Sequence, residues 1–135
     1  MILVDSNVLI DVMTDDPIWY EWSSSRLKQA ADNGPLLIND VIYAETSIGY
    51  PSIESAEAAL GRVRVQLVSI PISALFLAGK AFVQYRRAGG PRTGVLPDFF
   101  IGAHAAVERI PLLTRDTRRY RHYFPDVSLI APEVN

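Results

Sequence analysis

The 135-residue chain contains no cysteine, which excludes disulfide staples and thiolate metal ligands together. No apolar run approaches the roughly 20 residues that span a bilayer, so no membrane segment is expected. The opening Met1-Ile-Leu-Val4 is too short for the apolar core of a secretory signal, and Asp5 follows at once. A cytoplasmic protein is the expectation. There is no Gly-rich loop ending in Lys-Ser/Thr, which argues against an NTPase.

What remains is an ordinary globular composition, 49% hydrophobic and 21% charged, on a length that suits one domain spanning residues 1–135. The net charge of −2 conceals a polarity along the chain. Residues 1–79 carry ten acids against four bases, whereas residues 80–121 carry nine bases against three acids. The bases of that second stretch are Lys80, Arg86, Arg87, Arg92, Arg109, Arg115, Arg118, Arg119 and Arg121. Such a stretch is either a footprint for a polyanion such as RNA or a solvated, Arg-rich helix surface; charge alone does not separate the two.

Short apolar runs alternate with helical stretches. Strands are expected at Ile2–Val4, Leu36–Ile38, Val65–Val68, Pro111–Leu113 and Val127–Ile130. Between them, a helix starts at Ser6-Asn7, and a second runs from Pro17, suited to a first helical position, to Asn33 before Gly34-Pro35. Asn39-Asp40 caps a third helix from Val41 to Gly49, stopped by Pro51. Further helices are expected over Ser55–Val63, Ser73–Ala88, Asp98–Glu108 and Arg118–Tyr123. This alternation predicts a three-layer α/β/α sandwich around a mostly parallel sheet of about five strands.

In open parallel sheets, ligands bind beyond the carboxyl ends of the strands. Asp5 ends the first strand, Asp116 follows the fourth, and Asp98 opens the helix after the Gly89–Pro97 loop. Each aspartate alone has an ordinary explanation as a helix cap, where the helix dipole stabilises it by roughly 0.3–1 kcal/mol. Glu45 is harder to explain that way. Val41, Ala44, Glu45 and Ile48 share one helix face, so a carboxylate is expected on an apolar stripe, paired with an arginine or bound to a cation. Carboxylates about 5 Å apart repel by roughly 3 kcal/mol per pair at an effective dielectric of about 20. Four together approach 20 kcal/mol, more than a domain's net stability, and must protonate or bind a divalent cation. With only oxygen ligands the cation is hard, Mg²⁺ or Mn²⁺. Such an ion activates water and neutralises charge on a phosphate, which beside an Arg-rich surface points to phosphodiester hydrolysis.

The segments Ile2-Leu-Val-Asp-Ser-Asn-Val-Leu-Ile10, Asn39-Asp-Val-Ile-Tyr-Ala-Glu45, Leu96-Pro-Asp-Phe-Phe-Ile-Gly-Ala-His-Ala105 and Leu112-Leu-Thr-Arg-Asp116, in that order, resemble the PIN-domain ribonucleases. Within them the chain is similar to the VapC-type toxins of bacterial toxin–antitoxin pairs. The resemblance covers essentially the whole chain and implies a PIN-like fold. It implies that Asp5, Glu45, Asp98 and Asp116 form an acidic quartet holding Mg²⁺ or Mn²⁺ for RNA cleavage. It also implies that Asn7 braces Asp5, that Thr114 supplies a hydroxyl beside Asp116, and that Ser6 stands where threonine is common. A homodimer and inhibition by a small VapB-like antitoxin are further implications. The competing readings are a catalytically silent PIN-like module that binds RNA or protein, and a phosphatase. Phosphatases of the haloacid-dehalogenase type carry a second aspartate two positions after the first, where this chain has Asn7.

Arg115, Arg118 and Arg119 are the candidate RNA contacts, Arg115 foremost because it adjoins Asp116. His104 lies six positions after Asp98, about 240° around the helix, and is expected to be a satisfied packing or surface residue. Trp19, Tyr20 and Trp22 diverge around their helix, so at least one is expected to be exposed. Tyr20 is the foremost of these, and Trp19 and Tyr20 form a candidate partner surface, facing the antitoxin or a second subunit.

Overall fold

A computed structural model describes residues 1–91 and 96–132. Residues 92–95 of the Gly89–Pro97 loop and residues 133–135 lie outside the described residues, and with them Arg92 and Glu133. The order of elements is β1 (Ile2–Val4), α1 (Ser6–Met13), α2 (Tyr20–Asn33), β2 (Leu36–Ile38), α3 (Asp40–Ser47), α4 (Ile53–Val63), β3 (Val65–Leu67), α5 (Ile72–Arg87), α6 (Leu96–Glu108), β4 (Leu112–Leu113), α7 (Arg118–Tyr123) and β5 (Leu129–Ile130). The five strands lie in the order β3-β2-β1-β4-β5. Every pair is parallel, with Leu3 opposite Leu37 on one side and Leu112 on the other. The expected five-stranded α/β/α architecture is the observed one.

Burial explains why the central strands read as unbroken apolar triplets. β1 and β2 are buried along their whole length, as is β4, because helices cover both faces. β3, at one edge, exposes Gln66 and Leu67. From β1 the chain winds outward through β2 to β3, then crosses back to build β4 and β5 on the other side. The direction reverses between β1 and β4, so the carboxyl ends of these two strands flank the crevice characteristic of such sheets.

Helix boundaries depart from expectation where a side chain competes with the helix. The second helix begins at Tyr20, not Pro17, because the Asp16 carboxylate accepts the backbone N–H groups of Ile18 and Trp19, both at 2.9 Å, and holds residues 17–19 in a turn. The fourth begins at Ile53, since Ser52 caps it in a reciprocal box with Ser55. The sixth begins at Leu96, which places Asp98 inside the first turn and not at its start. Gly34 leaves α2 at φ 149°, and a Cβ there would come within 3.3 Å of the Met1 backbone nitrogen. On α5, Ala74, Ala78 and Ala81 are buried, while Ile72, Leu75, Phe76 and Val83 are exposed. Among the described residues no helix is long and apolar enough to cross a membrane.

Candidate active site

Asp5 sits at the end of β1 and caps α1, its Oδ1 accepting the Ser6 backbone N–H at 2.7 Å. The cap does not exhaust it. Oδ2 accepts the Thr114 hydroxyl at 2.8 Å, the Tyr120 hydroxyl at 2.8 Å and the Asn7 amide at 3.4 Å. These donors come from β4's end, α7 and α1, so one carboxylate ties together both sides of the switch crevice. Burial pushes the Asp5 carboxyl above its ordinary range, the Tyr120 and Thr114 bonds pull it back, and the charge of Glu45 pushes it up again.

Glu45 reaches the same place from α3. Its Oε1 accepts the Ser6 hydroxyl at 2.9 Å, so Ser6 links Asp5 through its backbone and Glu45 through its side chain. The helix face that carries Glu45 is not a buried one. Ala44 is exposed and Ile48 is 84% exposed, whereas Ile42 and Thr46 face the core. Of the Val41-Ala44-Glu45-Ile48 stripe, Ala44 and Ile48 therefore face solvent and Val41 packs at the edge of the core, because the Asn39 cap and Ile42 fix the helix against the sheet. Glu45 is half-buried at the border of that face and the crevice, and among the described residues no basic side chain pairs with it. Its carboxyl is raised by burial and by the charge of Asp98, with the Ser6 bond opposing.

Asp98 projects from the first turn of α6. Burial pushes its carboxyl up to about 6; Asp5 and Asp116 add to the rise, and the Arg119 guanidinium opposes it. Asp116 is exposed beyond β4 and faces Asp98 closely enough to act on it. Asp5, Glu45 and Asp98 thus lie within electrostatic reach of one another, and Asp116 bears on Asp98. Their arrangement is not closed: among the described residues no three acidic or imidazole groups are drawn close enough to hold one ion. The donor chemistry, carboxylate oxygens without sulfur or imidazole, suits a hard divalent cation.

The polar residues expected to support the site are all in contact with it. Thr114, fully buried, donates to Asp5 and accepts from the Asp116 backbone N–H at 3.1 Å, so its hydroxyl joins the first and last acids. Asn7 also bonds Thr114 at 3.3 Å and accepts the Arg115 backbone N–H at 3.2 Å. Arg115, expected foremost at RNA, is occupied elsewhere. Its guanidinium grips buried Asp11 through two bonds of 2.6 and 2.9 Å and lies 4.9 Å over the Trp19 ring. Arg119 pairs with Asp98 through Nη1, and Arg118 is exposed on the same helix. Trp19 is half-buried, and Tyr20 is 40% exposed at one side of an open groove of about 450 Å³. His104 is buried and satisfied by the Asn39 amide at 3.1 Å, in keeping with a packing role.

Two residues escaped sequence reasoning. Tyr120 is buried, its hydroxyl held well above the usual phenol range by burial and by the charges of Asp5, Asp98 and Glu45, so it remains a donor to Asp5. The available signal was a Tyr120/Phe124 pair one helical turn apart on an apolar face, since a buried tyrosine hydroxyl needs a partner. Asp11 is 1% exposed in α1, bonded also by the Ser23 hydroxyl at 2.7 Å. An acid amid Leu9-Ile10 and Val12-Met13 was its signal.

An all-parallel sheet whose switch crevice is edged by mutually interacting carboxylates defines a class of α/β/α domain. The PIN domain family model matches residues 2–125, and the chain belongs to that family. Solved structures with the same fold include a VapBC2 complex from Rickettsia felis bound to a DNA fragment from their promoter. The match has 19% identity and TM-score 0.74, covering 98% of this chain and 100% of that one. VapBC-1 from nontypeable Haemophilus influenzae matches at 20% identity and TM-score 0.71, covering 97% and 98%. DNA-bound VapBC from Salmonella typhimurium matches at 18% identity and TM-score 0.70, covering 96% of each chain. A search of curated protein sequences finds no match.

Proposed function

We propose that this protein is a metal-dependent endoribonuclease, the VapC-type toxin of a toxin–antitoxin pair. The observation that supports the reading is that, in a PIN-family chain, Ser6 links Asp5 to Glu45 and Thr114 links Asp5 to Asp116 by hydrogen bonds, with the charges of Asp5 and Asp116 also raising Asp98. Asp5, Glu45 and Asp98 would hold Mg²⁺ or Mn²⁺, with Asp116 binding directly, through water, or positioning the nucleophile. The cation, when bound, supplies an activated water and neutralises charge on the phosphate.

The chain's own residues do the rest. Thr114, Tyr120 and Asn7 occupy Asp5 Oδ2 and fix the plane of that carboxylate, so it need not reorganise on binding. Ser6 sets Glu45 against Asp5. Arg118, exposed on α7, is a basic group available to RNA phosphates, whereas Arg115 is held by Asp11 and Arg119 pairs with Asp98. The named VapBC neighbours support a small VapB-like antitoxin as partner, and the exposed Ile18 and Tyr20 offer it apolar surface. The homodimer expected of the family would need apolar surface as well, and the exposed side chains of α5 supply some.

The test is cleavage of labelled RNA with Mn²⁺. Wild type is expected to cut, and both EDTA and Asp98→Asn to abolish cutting with the melting temperature kept. Cleavage retained in Asp98→Asn would overturn the assignment. RNA binding without cleavage in the wild type would favour the silent binding module instead.

A further inference from the structure

Among the described residues, Arg119 is the only basic side chain that ion-pairs with one of the four acids. Its Nη1 donates to Asp98 Oδ2, on a carboxylate that would also serve a cation held by the acids. A guanidinium cannot shed its proton to make way, so the two positive groups compete for one carboxylate. The next residue, Tyr120, is buried and bonded to Asp5, and Phe124 is buried one turn on, so the backbone of α7 is pinned at the crevice. The Arg119 head is not pinned. Its side chain is 29% exposed, and apart from Asp98 it meets the Tyr85 ring, 5.8 Å from the ring centre. A long arm on a fixed helix, with an aromatic face alongside, can leave Asp98 without leaving the rim of the crevice.

We propose that Arg119 is an internal counter-ion of the acid cluster: it yields Asp98 to a divalent cation and, once released, takes a phosphate oxygen of the bound RNA. The proposal rests on the metal-nuclease reading above and adds to it a cation-triggered exchange of partners. It also gives RNA binding a dependence on the cation that does not pass through the cation itself. The guanidinium becomes available to phosphate only after Asp98 is taken.

The experiment titrates Mn²⁺ alone, by calorimetry and without RNA, into wild type, Arg119→Gln and Arg119→Lys. Arg119→Gln is expected to bind Mn²⁺ about fivefold more tightly, with Arg119→Lys close to wild type because it keeps the competing charge. RNA binding is then measured with Mn²⁺ in an Asp116→Asn background to prevent turnover. There, adding Arg119→Gln should weaken affinity about tenfold and reduce the salt slope by about one. Equal or weaker Mn²⁺ binding by Arg119→Gln than by wild type would mean that Arg119 braces Asp98, and overturns the proposal alone. Unchanged RNA affinity overturns its second half. Mn²⁺ binding to none of the three proteins overturns the metal reading itself, and the proposal with it.

Discussion

Replacing Arg115 by alanine is expected to destabilise the fold by about 3 kcal/mol, and the structure supplies the reasons for that figure. The Asp11 side chain is 2% exposed, and Arg115 meets it with two short, charge-assisted bonds. Removing the guanidinium leaves a buried carboxylate with only the Ser23 hydroxyl. Breaking one partner of such a pair costs about 3–5 kcal/mol, and the lower end applies because Arg115 is itself 28% exposed and water can partly replace it. Unfolding entropy scales at roughly 2.1 cal/mol/K per residue, so a chain of this length should lose about 10 °C in melting temperature. The assay is thermal unfolding of wild type, Arg115→Ala, Asp11→Ala and the double variant. The double variant should be less destabilised than the two singles added together, because it leaves no orphaned charge. A melting temperature for Arg115→Ala within about 2 °C of wild type would refute the reasoning. Arg115 would then be a solvated cation free to meet RNA, as its place beside Asp116 first suggested.

Further outcomes follow from the same geometry. Tyr120→Phe removes one of the donors on Asp5 Oδ2 and should cost about 1.5–3 kcal/mol in urea unfolding, as for a hydrogen bond to a charged group. The packing should survive, and unchanged stability would mean that the hydroxyl is not bonded as described. Because Asp98 is raised to about 6 from an unfolded value of 3.8, the folded chain holds its proton more tightly than the unfolded one. Without divalent cation this group's contribution to stability falls as pH rises through that window, by at most about 3 kcal/mol. Cation binding requires the ionised form, so apparent Mn²⁺ affinity should fall up to about tenfold per unit as pH drops below about 6, read by calorimetry from pH 7 to 5. An affinity flat across that range would contradict the raised value. Tyr20→Ala should weaken binding of the antitoxin by about tenfold in titration of the purified pair while leaving Mn²⁺ binding intact. Unchanged antitoxin affinity and unchanged oligomeric state would remove the partner surface.

Local chemistry made most of the architecture legible from sequence. Leu36-Leu-Ile38 and Leu112-Leu113 read as buried strands because a strand covered on both faces has no polar side to show. The position of Asp5 followed from the strand it ends, and the four motifs in order implied the family that the comparisons show. Proline suits a helix start on propensity, so the sequence points to Pro17, whereas the competing Asp16 turn depends on which backbone N–H groups its carboxylate meets.

What only the tertiary structure decided is the set of partners. By periodicity Glu45 shares an apolar stripe, yet Ala44 and Ile48 of that stripe face solvent, and Ser6, 39 positions away, bonds Glu45 beside Asp5. Arg115 and Arg119 are the same residue type four positions apart, but one is held by a buried acid of α1 and the other touches the acid cluster. Tyr120 bonds Asp5 across 115 residues of chain. Periodicity records which side of an element is apolar. Which polar groups meet is settled by the crossovers that bring β1, β4, α3, α6 and α7 to one edge of the sheet, and no local pattern contains that information.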